Sequence, residues 1–79
     1  LPLGADLVIT EFKPPALFIG RSLEQLALPK KELNVIAVRP ARMRANTAIM
    51  PDVTRPIDGD DILVVVSRPN VVRRYLERL

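Results

Sequence analysis

Pro56-Ile57-Asp58-Gly59-Asp60-Asp61-Ile62-Leu63-Val64-Val65-Val66 is the stretch whose reading decides the fold. Its first half, entered from Arg55, carries turn chemistry. Proline presets φ, aspartates bond to nearby backbone, and Gly59 is free to take a positive φ. Its second half, Ile62 to Val66, is the longest apolar run in the chain. Five residues are too few for a core helix, and four of them are β-branched. The run therefore reads as a strand, and its unbroken apolar character predicts burial on both faces.

Working outward, a closing helix follows. Asn70 or Ser67 is placed to cap it, and Pro69 is tolerated in a first turn. Val71, Val72, Tyr75, Leu76 and Leu79 form one apolar stripe, with Arg73, Arg74, Glu77 and Arg78 opposite. On the N-terminal side, Asn46 to Met50 reads as a short strand stopped by Pro51, after a basic loop over 41–45. Asn34 to Arg39 is another strand, rich in β-branched residues and ended by Pro40. Further back, Ser22-Leu23-Glu24-Gln25 matches a capping box for a helix over Leu23 to Leu26. Pro29 keeps that helix to one or two turns. Leu7 to Phe12 suits a first strand, with Thr10 and Phe12 on one face and Lys13-Pro14-Pro15 as its stop. Ala16 to Ile19 is an apolar connector, and Gly20 permits a turn. The order is strand, short helix, three strands, helix. It predicts a small α+β domain with a mostly antiparallel sheet, a short helix and a C-terminal helix.

Composition narrows the function. The 79 residues fit one domain, and 48% of them are apolar, enough for a packed core. A domain this small buries only about 60–65% of its unfolded surface, which favours pairing with a second copy or docking on a larger body. There is no cysteine and no histidine. The commonest nucleophiles, general bases and metal ligands are thereby missing, and Ser22, Ser67, Thr10, Thr47 and Thr54 have no histidine to activate them. No glycine-rich phosphate loop is present. The reading is therefore not an enzyme, with no metal site and a reducing, cytoplasmic location. No apolar stretch approaches the roughly 20 residues of a membrane span. The net charge of +3 comes from nine arginines and three lysines against nine acids, scattered rather than grouped. With one tyrosine and two phenylalanines to stack bases, no nucleic-acid partner is expected.

Three local patterns, in this order and spacing, resemble the C-terminal RCK (TrkA-C) domain of potassium channel, potassium transporter and cation antiporter systems. They are Ile19-Gly20-Arg21-Ser22-Leu23-Glu24-Gln25-Leu26, then Asn34-Val35-Ile36-Ala37-Val38-Arg39, then Pro56 through Val66 with the helix from Pro69. The resemblance covers Asp6 to Leu79. Residues 1–6 read as a lead-in from a preceding domain or linker, and 7–79 as the TrkA-C-like regulatory domain. Leu3-Gly4-Ala5-Asp6 resembles the exit from the Rossmann-like half that usually precedes it. Because the chain opens at Leu1 rather than Met, it is read as a piece of a longer protein.

The resemblance implies a two-fold homodimer that binds a small ligand, a nucleotide or a divalent cation. It also implies a membrane-embedded channel or transporter as partner, with the domain on the cytosolic face. The alternative is a pure dimerisation or effector domain attached to a transcription factor or to another solute carrier. In members that bind cyclic di-AMP, the motif has paired aliphatics, then Asp, then Arg two further on, then Asn and two aliphatics. Leu23 matches the first aliphatic, and Asn34, Val35 and Ile36 match its end. Glu24 replaces the second aliphatic, Ala27 stands at the Asp position and Pro29 at the Arg position, so weak or absent binding of cyclic di-AMP is expected. The candidate ligand residues are Leu23, Asn34, Val35, Ile36 and Arg39. Arg39, Arg42 and Arg44 crowd one loop, which reads either as a solvated hairpin or as forked donors for a phosphate. Asp58, Asp60 and Asp61 lack the alternating spacing of a calcium loop and read as turn chemistry.

Overall fold

The computed structural model describes residues 4, 6–44 and 47–77, with backbone alone for Leu76 and Glu77. Strand β1 spans Val8–Phe12, β2 spans Leu33–Arg39 and β3 spans Ile62–Ser67. A four-residue helix, α1, covers Leu23–Leu26, and α2 covers Val71–Glu77. A 3-10 turn at Ala16–Phe18 lies where the apolar connector was read. The sheet order is β1-β3-β2, antiparallel throughout. The apolar run after the aspartate turn is thus the central strand.

Its burial departs from the expectation of two buried faces. Leu63 and Val65 are fully buried and Ser67 nearly so, while Ile62, Val64 and Val66 are only half-buried. The reason is that the helices all lie on one side. Phe18, Val71 and Val72 join Phe12, Leu33, Val38, Leu63 and Val65 in a single core. Tyr75 extends it with an edge-on contact to Phe18, ring centroids 6.3 Å apart. Each fully buried aliphatic or aromatic side chain contributes roughly 1.5–3 kcal/mol of transfer energy.

A bulge in β2 makes this core possible. Val35 pairs with Val65, but Ala37 pairs with Val64, so Ile36 is the extra residue. Regular alternation would put Val38 on the face opposite Val35. The bulge returns it to the core side, where it pairs with Leu63 and is 5% exposed. Thr10 and Phe12 pair with Val65 and Leu63, and so share the core face as the sequence suggests.

The strand expected over 46–50 is not formed. Among the described residues only an isolated bridge joins Ile49 to Val38, through bonds of 3.0 and 2.9 Å. Asn46 lies outside the described residues. Pro51 cannot donate to a ladder, and the segment leaves the sheet there. Gly59 does not take the positive φ anticipated for it; Gly20 does, at 83°. Gly59 is instead a close-approach glycine, since an added Cβ would stand 3.2 Å from the Ile19 Cδ1. Pro69 precedes α2 rather than sitting in its first turn. Ser67 is no helix cap, because its hydroxyl donates to the Arg68 carbonyl at 3.0 Å. Val71, Val72 and Tyr75 of the apolar stripe face the core. The side chains of Leu76 and Glu77, and all of Arg78 and Leu79, fall outside what is described, as do Leu3 and Ala5 of the lead-in.

Candidate functional site

The site is assembled around α1. Ser22 Oγ accepts from the Gln25 amide at 3.2 Å, and Ser22 N donates to Gln25 Oε1 at 2.9 Å, a closed capping box. At the other end Ala27 adopts a left-handed conformation, φ 49°, and its amide bonds to the Leu23 carbonyl. That conformation costs a non-glycine residue about 1–2 kcal/mol, and it reverses the chain just before Pro29. The Pro29 carbonyl then accepts from Glu32 and Leu33, which delivers the chain to the start of β2. The Glu24 amide bonds to the Val53 carbonyl at 2.9 Å, fixing the 51–53 segment beside the helix.

These connections leave an open groove of about 590 Å³ between α1, the start of β2 and the 51–53 segment. Leu23, Ala27 and Leu28 form one wall, Pro51 and Val53 the other, and the buried Leu33 the floor with Val35. Glu24, Lys30 and Asn34 supply the polar groups, all three exposed. An apolar slot with a few convergent polar groups is the usual form of a small-molecule site. Among the described residues no cluster of acids could hold a metal ion, and neither arginine nor an aromatic ring lines the groove.

Of the residues singled out from sequence, Leu23, Asn34 and Val35 line this groove. Ile36 is the bulge residue and is not among the lining side chains. Arg39 lies elsewhere, beside a shallower depression of about 380 Å³ with Arg44 and Asp60. It is paired with Glu11 across the sheet at 2.6 Å. Lys30, Pro51 and Val53 had no signal in the sequence, because only the folded chain brings residue 53 next to residue 24.

The aspartate turn behaves as structure. Asp61 is 1% exposed. Its carboxylate accepts from the Ala41 and Asp58 amides, each at 3.0 Å, and from Arg55 Nη2 at 3.2 and 3.0 Å. Asp60 is exposed and donates only its amide, to Asp58. Near the groove, Asp52 is held below the ordinary aspartate pKa, first by the Thr54 hydroxyl and then by the Thr54 amide.

A three-stranded antiparallel sheet with short helices packed on one face defines a small α+β domain. The chain belongs to the TrkA-C domain family, whose model matches residues 7–79. The family is regulatory and non-enzymatic. Among solved structures, the RCK C domain of the potassium transport protein KtrA, in complex with cyclic diadenosine monophosphate, has the same fold. The two share 23% sequence identity over 92% of this chain and 84% of that one, with a TM-score of 0.73. No curated protein matches the chain. Among the described residues no helix is long and apolar enough to cross a membrane.

Proposed function

We propose that this chain is a cytoplasmic, ligand-sensing and dimerising regulatory domain of a potassium or other cation channel or transporter. The observation that carries this reading is the groove itself. It opens beside the stretch that resembles the family's ligand motif, and Leu23, Asn34 and Val35 of that stretch line it. Family membership supports the regulatory role, and the likeness to a potassium transport protein supports the transport context.

The lining constrains the ligand. A divalent cation wants several oxygens, and among the described residues Glu24 is the only carboxylate there, so a small nucleotide or similar organic anion suits the groove better. Lys30 offers one point charge to such an anion, and Asn34 offers an amide for polar readout. Tight binding of cyclic di-AMP is not expected, because Pro29 and Ala27 replace the charged pair of that motif. The test is a thermal-shift screen against cyclic di-AMP, cyclic di-GMP, ATP, NAD, magnesium and calcium, run on the wild type and on Asn34→Ala. A ligand at a hundred times its Kd stabilises by about 2.7 kcal/mol, a shift of several degrees. The proposal requires a nucleotide that raises the wild-type melting temperature and raises that of Asn34→Ala much less. An equal shift in both would remove the groove as its site.

A further inference from the structure

Among the described residues the groove carries one negative and one positive side chain, Glu24 and Lys30. Glu24 stands beside the 51–53 wall, tied there by its amide bond to the Val53 carbonyl at 2.9 Å. Lys30 belongs to the turn closed by the bonds from Glu32 and Leu33 to the Pro29 carbonyl, where β2 begins. Both are exposed, and neither forms an ion pair among the described residues. The rest of the lining is mostly apolar, with Leu23, Leu28, Val35 and Val53.

We infer that the groove selects a guanine base and that Glu24 reads it. The inference rests on the nucleotide reading of this groove given above and names the base. A phosphate beside Glu24 would face a like charge, so the phosphate of a bound nucleotide goes to Lys30. The apolar slot then takes the base, and the polar edge of the base meets Glu24. An ionised carboxylate offers acceptors only, on two oxygens side by side. Its match is an edge with two adjacent donors. Guanine has that edge, its N1–H next to its N2 amino group. Adenine and cytosine each set a ring-nitrogen acceptor beside their amino group, and uracil flanks its one N–H with carbonyl oxygens. Each of these turns a lone pair toward the second carboxylate oxygen. The paired bonds to guanine are parallel and charge-assisted, which makes them both strong and directional. Asn34 gives no such choice, because its amide both donates and accepts. Neither arginine nor an aromatic ring lines the groove to grip any nucleotide alike, so discrimination falls to the Glu24 edge.

The experiment is calorimetric titration of the wild type, Glu24→Gln and Asn34→Ala with GMP, IMP, AMP and XMP. IMP keeps the N1–H of guanine and lacks its amino group. The wild type should bind GMP roughly tenfold to a hundredfold more tightly than IMP or AMP, the worth of one charge-assisted bond. Glu24 is exposed, and the melting temperature of Glu24→Gln checks that the variant stays folded. The glutamine amide replaces one acceptor by a donor, which matches xanthine, whose N1–H lies beside a carbonyl. Glu24→Gln should therefore bind GMP at least about tenfold more weakly and XMP more tightly than the wild type does. Equal weakening of all four nucleotides by Glu24→Gln would make the carboxylate a structural group and overturn the inference. GMP no tighter than AMP, with ATP or NAD still bound in a way that Asn34→Ala weakens, overturns the guanine reading and leaves the groove a nucleotide site. Silence from all four, and from ATP and NAD, at millimolar concentration overturns both.

Discussion

Replacing Asp61 by alanine removes the acceptor for three donors at once. The backbone amides of Ala41 and Asp58 lose their partners, and the Arg55 guanidinium loses both of its bonds. Stranding a buried donor costs about 1–3 kcal/mol, and removing one partner of a buried ion pair about 3–5 kcal/mol. Arg55 is 36% exposed and recovers part of its hydration, so the sum is taken at about 3–5 kcal/mol rather than higher. A chain of 79 residues has a total stability of about 4–12 kcal/mol. Asp61→Ala therefore brings the domain close to unfolding at room temperature. The assay is urea denaturation followed by far-ultraviolet circular dichroism. With a slope of about 1 kcal/mol per molar, the midpoint should fall by roughly 3 M or the transition should vanish. Asp60→Asn, one residue away but exposed, should stay within about 0.5 kcal/mol of wild type. A wild-type midpoint for Asp61→Ala would mean that the carboxylate does not hold these loops, and that the acidic turn has some other purpose.

Three more outcomes follow from the groove and its surroundings. Ala27→Gly relieves the left-handed conformation at the end of α1 and should raise stability by about 0.5–1 kcal/mol in the same urea assay. Adding Pro29→Arg together with Ala27→Asp restores the missing charges. A hydrogen bond to a charged group contributes roughly 1.5–3 kcal/mol, so calorimetry should show cyclic di-AMP affinity rising about tenfold to a hundredfold. Asp52 has a depressed folded pKa, so its contribution to stability is present above the unfolded aspartate pKa of about 3.9. That contribution is lost as pH falls through the lower folded value. Thr54→Val removes the largest cause of the depression, and a carboxyl-detected NMR titration should show Asp52 moving upward.

Much of the fold was legible because local chemistry and packing agree. The capping box at Ser22 and the run from Ile62 to Val66 specify their elements with few alternatives. What the sequence hid is of two kinds. The bulge at Ile36 has no composition signal, since Asn34 to Arg39 reads as an ordinary alternating strand. Only the need to bury Val38 beside Val35 selects it. One-sided burial of β3 is also a tertiary outcome. A run of valines does not disclose that every helix will choose the same face. For the site, Leu23, Asn34 and Val35 were accessible through the family motif. Lys30 and the 51–53 segment were not, because the Glu24–Val53 bond that joins them to α1 crosses 29 positions. Arg39 looked like a ligand residue for its chemistry, but it ends β2 while the groove lies at that strand's start, and its guanidinium pairs with Glu11.

The central claim, that the α1–β2 groove is the ligand site of this regulatory domain, is tested most directly by amide NMR mapping. The uniformly nitrogen-15-labelled domain is titrated with ATP, NAD and cyclic di-AMP to millimolar concentration. The account predicts that at least one of them shifts the amides of Leu23, Ala27, Asn34 and Val35 in a saturable way, while Arg42 and Arg44 stay unmoved. Shifts concentrated on the 39–44 loop, or no saturable shift with any of the three, would contradict it.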